Sequence, residues 1–454
     1  MEVSIENKEV LCDCVVCKHH HDVTIPRGLI EDFMNGNVVI FAGAGISTEG
    51  SLVLQATLYE NICAEINQED KNLSFPDAMS MYADQHNGRI KLLSKIKSRF
   101  QYIDSFPELR KNATRFHEEL STFYPIDTIV TTNWDRYFEE ECGATAFTSS
   151  EDVAFWESPG RKVLKIHGSI DNYGSIVATT TDYESCEERL SKGIIGSILK
   201  VLLATKTIVY CGYSLRDDDF KAINSFVKNE MKSLNRHAYI VTPFVNEGDY
   251  DAQAVIPIKT DATFFIQTIK EHALVELKDH FLPDIIYGAA GFMLNVVTSA
   301  HAKLHEKYNC HDNPEIVLCA SYQDGLLHAF ERVLAMRKTG HYSHACEIRR
   351  VLKPYENYRK DFLKNKRYDD VAYIDGYTNG LMFVLSSEDL EIVEYFPLFY
   401  AFGSGVDLVS FEDYVEIADE IPSLHKSAYK RARQVVSKQL KYGDDVEFHH
   451  FPWL

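Results

Sequence analysis

The most constraining feature of the chain is a short run, Val38-Val39-Ile40-Phe41-Ala42, that is apolar at every position and rich in β-branched residues. Such a run has to be buried on both faces, which a sheet open to water on one side does not allow. The same signal recurs at Asp127–Thr131, Val163–Ile166, Thr207–Cys211 and Ala238–Val241, with a weaker sixth run at Thr263–Ile266. Helical patterns fill the gaps, among them Phe75 to Phe100 and Asp217 to Leu234. Buried strands alternating with helices predict an α/β fold: a Rossmann-type parallel sheet with helices on both faces.

Pro26 opens a first helix, Arg27 to Met34, and Asn35-Gly36 ends it. Beyond about residue 285 the strand signal fades. Segments 321–338, 342–366 and 410–440 then carry helical periodicity, with Gly403-Ser404-Gly405 as a turn between them. The 454 residues therefore divide into a Cys/His-rich leader (1–25), an α/β domain (26–285) and a mainly helical accessory domain (286–454). No long linker separates the last two, so they are expected to pack together.

Charge and cysteine usage narrow the function classes. Acidic residues outnumber basic ones by 67 to 47, a formal net charge of -20, which disfavours direct binding to nucleic acid or an anionic membrane. Ten cysteines at irregular spacing do not make a disulfide scaffold, and the first ten residues lack a secretory signal, so a cytoplasmic protein is expected. The longest apolar stretch, Ile285 to Ala300, reads as too short to span a bilayer. The basic segment from Arg349 to Arg367 reads as a solvated helical face, with a docking site for an acidic partner or nucleic acid as the sharper reading. In the leader, Cys12, Cys14, Cys17 and His19 offer four zinc ligands, but no second C-x-x-C knuckle exists, and a leader without metal is preferred. The aromatic tail Phe448 to Leu454 is read as closing the core or inserting into a neighbouring subunit.

Four motifs sit at expected strand ends. Gly43-Ala44-Gly45-Ile46-Ser47 follows the first strand; glycines let a backbone turn approach a phosphate, although any tight strand-to-helix turn would use them too. It lacks the G-x-G-x-x-G spacing of dehydrogenases, since Thr48 holds the last position. Thr131-Thr132-Asn133-Trp134-Asp135 ends the second run; an Asn there can orient a water or a ribose hydroxyl, and an Asx turn is the plainer reading. His167-Gly168 offers a general base, in a chain whose 18 histidines are mostly structural by default. Gly212-Tyr213-Ser214-Leu215, followed by Asp217, suits a second phosphate or ribose contact or simply a helix cap.

Together and in this order, these motifs resemble the sirtuin family, whose pattern runs G-A-G-x-S, T-x-N-x-D, H-G and G-x-S. Leu164-Lys165-Ile166-His167-Gly168-Ser169-Ile170-Asp171, Asp182-Tyr183 and Gly212-Tyr213-Ser214-Leu215 resemble the sirtuin-like domains of bacterial antiphage defence proteins. The resemblance covers about residues 37–268. It implies NAD as substrate, Asn133 and His167 as catalytic, and Gly43, Ala44, Gly45, Ser47, Thr132, Asp135, Gly212, Ser214 and Asp217 as NAD-binding. It implies an NAD hydrolase that makes nicotinamide and ADP-ribose, and also a homo-oligomer with an ATPase or nucleic-acid-guided partner. The alternatives are a protein deacylase, an ADP-ribosyltransferase, or a non-catalytic NAD or ADP-ribose sensor. Deacylating sirtuins carry paired C-x-x-C knuckles between the His and the G-x-S turn, whereas here Cys186 is the single cysteine between His167 and Cys211. The usual continuation after the glycine turn is also replaced, by Thr48-Glu49-Gly50-Ser51-Leu52. Both departures weigh against an acyl-lysine substrate.

Overall fold

The computed structural model describes residues 23–50, 52–67, 73–213, 225, 229, 238–245, 255–386, 392–439 and 448–452. Cys12, Cys14, Cys17, His19, Ser214, Asp217 and most of the helix expected from Asp217 to Leu234 lie outside the described residues. The chain forms two compact units, residues 1–277 and 278–454. Phe281 bridges to His344, and the Leu282 N–H donates to the Ser343 carbonyl, so both belong with the second unit.

The first unit is built on one seven-stranded sheet, every pair parallel, in the order β3-β4-β2-β1-β5-β6-β7. The strands are β1 Val38–Ala42, β2 Thr128–Thr131, β3 Thr145–Phe147, β4 Lys162–Lys165, β5 Thr207–Cys211, β6 Ala238–Thr242 and β7 Val255–Lys259. Every residue of β1, β2 and β5 is buried, as their apolar runs require. The helices are α1 Arg27–Met34, α2 Leu58–Glu65, α3 Phe75–Ala83, α4 Gly88–Ser105, α5 Pro107–Ser121, α6 Tyr137–Cys142, α7 Thr180–Lys192, α8 Ile194–Thr205 and α9 Ala262–Glu276.

Two expectations need correction. The run Thr263–Ile266 is helical, not a sixth strand. Asp261 caps α9 by accepting the Thr263 N–H at 2.9 Å. Ala262, Phe265, Ile266, Ile269 and Ala273 then bury one helical face. Four residues are too few to separate the two periods. The helix expected from Phe75 to Phe100 is two helices, because Asn87 at the break is left-handed, φ 56°. The edge strands β3 and β7 gave no apolar run: both are half-exposed, and β7 contains Pro257, which an edge position tolerates.

The amino edge of β4 is held by Arg161. Its buried guanidinium donates to the carbonyls of Ile126, Ser121, Cys142 and Phe123 at 2.8 to 3.1 Å.

The second unit is helical: α10 Ile285–Lys307, α11 Ile316–Ala335, α12 Ala345–Lys364, α13 Tyr368–Ser386, α14 Phe411–Ala418 and α15 Lys426–Gln439. The stretch read as too short for a membrane continues as α10 to Lys307, and its 23 residues are long and apolar enough to cross one by length and composition. Its Ile286, Ala290, Met293 and Val297 are buried with Tyr322, Leu326 and Tyr373 inside this unit. α13 is buried almost all round, so no amphipathic stripe announced it. In the basic segment, Arg350, Arg359 and Arg367 pair with Glu347, Asp375 and Asp370. Phe448 of the tail is buried in the core of its own unit.

In the first unit, His117 on α5 is fully buried among Phe116, Tyr137 and Phe138. Burial pushes its pKa down from 6.5 to about 3, so it folds neutral. A base with a depressed pKa contributes stability that is present above its unfolded value and lost as pH falls below it. Stability should therefore fall as pH drops from 6.5 towards about 3, at up to about 1.4 kcal/mol per pH unit from this residue. Urea midpoints measured across that range should slope less in His117→Phe than in the wild type; equal slopes would refute the assignment.

Candidate functional site

The carboxyl edge of the sheet brings the four motifs to one level. The register aligns Ala42 with Thr131 and Cys211, and Thr131 with Lys165. Gly43 and Gly212 therefore lie one residue beyond aligned strand ends, and Asn133 and His167 lie two beyond. Crevices at this edge, where successive connections leave β1 in opposite directions, are where open α/β sheets bind ligands.

The glycine turns lock into each other. The Gly43 N–H donates to the Cys211 carbonyl at 2.9 Å and the Gly45 N–H to the Gly212 carbonyl at 3.0 Å. A Cβ on Gly43 would lie 2.6 Å from the Gly212 oxygen. Gly212 is left-handed, φ 68°, and a Cβ there would lie 2.4 Å from the Ile46 nitrogen. The N–H groups of Ile46 and Ser47 also donate inside the turn, to Gly43 and Ala44. The glycines thus serve contact between turns in the first place, and Ala44 and Gly45 are the more exposed members.

Asn133 is buried behind this turn. Its Nδ2 donates to the Gly43 carbonyl at 3.2 Å and to Ser47 Oγ at 3.3 Å, while its own N–H donates to Thr131 Oγ1 at 3.0 Å. Its Oδ1 is buried and accepts no hydrogen bond among the described residues. Ser47 Oγ in turn donates to Asp135 Oδ2 at 3.0 Å, and Asp135 Oδ1 accepts the Tyr137 N–H at 3.1 Å. Burial raises the Asp135 carboxyl above the usual range, against the pull of the Lys165 ammonium. Thr132 Oγ1 accepts from Tyr213 at 2.9 Å, tying the second motif to the loop after β5.

His167 is also buried. Its ring packs edge-on against Tyr183, centroids 5.2 Å apart. Its carbonyl accepts the Val177 N–H at 3.1 Å. Tyr183 is placed by the start of α7, where Thr179 and Asp182 form a reciprocal cap and Arg89 pairs with Asp182 at 2.6 Å. The loop after His167 meets the second motif where the Ile170 N–H donates to the Trp134 carbonyl at 2.9 Å.

Lys165 has no role in the reading from sequence. It is fully buried on β4, donates to the Asp135 carbonyl and pairs with Glu139 at 2.9 Å. A lysine inside the otherwise apolar run Val163–Ile166 is the signal that could have found it. Cys186, the lone cysteine of its region, is buried, with its Sγ 3.4 Å from the Ile166 carbonyl.

Residues 127–259 match the family model of the SIR2-like domain. Over that span the chain is similar to the SIR2-like domain. The match takes in Asn133, His167 and Gly212, and Gly43 to Ser47 lie before it. NAD(+) hydrolase ThsA of Cytobacillus dafuensis is 30% identical over 238 residues, 49% of this chain and 45% of the relative. The ThsA of Enterococcus faecium is 27% identical over 231 residues, 49% of this chain and 47% of the relative. Defense-associated sirtuin 2 of Bacillus subtilis is 23% identical over 265 residues, 54% of this chain and 25% of the relative. The chain spans about half the length of the ThsA relatives it matches.

The packing of the two turns predicts a contrast between glycines. Gly43→Ala should lower stability by about 1–3 kcal/mol, because the added methyl meets the Gly212 backbone as well as the Tyr213 ring. Gly28→Ala, in α1 with nothing near its Cβ position, should be neutral or stabilising by about 0.5–1 kcal/mol. Denaturant midpoints of the two variants check this; a Gly43→Ala protein as stable as the wild type would contradict it.

Proposed function

We propose that the SIR2-like domain is an NAD glycohydrolase that cleaves NAD to nicotinamide and ADP-ribose, and that it acts in the cytoplasm as an antiphage effector by depleting NAD. The observation that carries this reading is Asn133: a buried side chain whose Oδ1 lacks a donor among the described residues, at the carboxyl edge of the sheet. An unmet buried acceptor costs about 1–3 kcal/mol, which a ribose hydroxyl or a water donating to it would offset. The names of the relatives, NAD(+) hydrolase and defence-associated sirtuin, support the same substrate and setting.

Each residue then has a task. Breaking the bond between nicotinamide and ribose builds positive charge on the ribose. Asn133 holds a ribose hydroxyl or the attacking water, with its Nδ2 anchored on Gly43 and Ser47 so that Oδ1 faces one way. His167, at the same register level one strand over, takes the proton from that hydroxyl or water. Ser47, Asp135 and Lys165 keep the Asn133 loop in place, and positioning of this kind supplies much of the rate. Ala44 and Gly45 offer the more exposed backbone of the first turn to the diphosphate, with Thr132 and Gly212 beside it.

Nicotinamide release, followed by chromatography with the activating condition supplied, tests the proposal. Asn133→Ala and His167→Ala should each abolish it, and the double variant should fall little further than either single one, because the pair acts as a unit. Asn133→Ala should also lose about 1–2 kcal/mol of stability, since it donates two buried hydrogen bonds. Full activity in both single variants, each shown to be folded, would overturn the reading.

A further inference from the structure

The second unit contains a cluster that the NAD chemistry does not use. Ligand atoms of His301 on α10, Asp324 on α11 and His449 in the tail lie within 4.8 Å of one another. We propose that these three side chains hold a zinc ion that fastens the tail, residues 448–452, to α10 and α11.

Three observations carry it. The first is geometry. His449 Nδ1 lies 3.6 Å from Asp324 Oδ1. Two ligands at about 2.0–2.1 Å on a tetrahedral zinc are about 3.3–3.4 Å apart, so this pair needs little movement.

The second is the tautomer of His301. Gln323, fully buried beside it, donates its Nε2 to the Leu398 carbonyl at 3.0 Å. That leaves the Gln323 Oε1 as acceptor, 3.1 Å from His301 Nδ1. The Nδ1 therefore carries the proton, and the lone pair sits on Nε2. Metal-bound histidines are oriented in this way, by donating the other ring N–H to an oxygen.

The third is the charge balance. Asp324 is only 3% exposed, and its Oδ2 accepts the His450 N–H at 2.6 Å. The outer oxygen, Oδ1, faces His449. A buried carboxylate of this kind is stabilised by a divalent cation, and two imidazoles with one carboxylate suit zinc. His305 lies one helical turn beyond His301, with ring centroids 4.5 Å apart.

Such a site would be structural. The tail already inserts Phe448 into the core and stacks His450 on Tyr373, centroids 4.3 Å apart. Zinc would add a bond that spans from residue 301 to residue 449.

The test uses the full chain, free of any histidine tag, with zinc measured by mass spectrometry after dialysis. The wild type should carry one zinc more per chain than His449→Ala or His301→Ala. His449 is 54% exposed, so its variant should fold and keeps the test decisive even if His301→Ala does not. Added zinc sulfate should raise the melting temperature of the stripped wild type, and not that of His449→Ala. Cys14→Ser/Cys17→Ser and Cys346→Ser should keep the zinc difference, which separates this site from the leader and from the more exposed His280, His344 and Cys346 cluster. Equal zinc in wild type and His449→Ala, or zinc lost only with those cysteines, would overturn the proposal.

Discussion

The carboxyl edge of the sheet depends on two turns that approach more closely than side chains allow. Gly43 and Gly45 bond to the carbonyls of Cys211 and Gly212, and a Cβ on Gly43, Gly45 or Gly212 would fall within 3.0 Å of backbone. This contact follows from the topology. β1 is flanked by β2 and β5, so the loops after β1 and β5 emerge side by side. With the first turn pressed down, its Gly43 carbonyl and Ser47 hydroxyl reach Asn133, and Ser47 reaches Asp135. Loosening the glycine contact would release all of these together.

Behind that turn lies a set of mostly buried charges. Lys165 is 1% exposed and pairs with Glu139, whose carboxyl burial also raises. Taking such a pair out of water is expensive, and removing one partner costs more than the pair contributes. Here the charges act on backbone: the Lys165 ammonium holds the Asp135 carbonyl, and Asp135 holds Ser47. At the opposite edge Arg161 satisfies loop carbonyls and touches no candidate catalytic group. The two ends of one sheet thus differ in kind, one closing loops, the other presenting side chains.

Legibility tracked burial. Central strands exclude water on both faces, so β1 and β5 read directly as apolar runs, and the candidate residues follow at their ends. β3 and β7 border solvent and mix polar with apolar residues. α13 fails in the opposite sense: with both sides buried it has no polar stripe to set its phase. The Thr263–Ile266 run was misread because a capping Asp261 and the residues beyond it, not the run itself, decide its period.

By itself the sequence determined the class of the fold, the order of its motifs and the identity of Asn133 and His167 as candidates. Residue type, apolar period and glycine placement are local properties and suffice for the fold class, while Asn133 and His167 stood out through the resemblance of the ordered motifs to the sirtuin family. Tertiary structure alone decided that the glycines serve each other, that Lys165 lies under the site, and that His301, Asp324 and His449 meet across nearly 150 positions of chain. Those facts depend on register and helix packing, which set distances between residues that sequence separation does not encode.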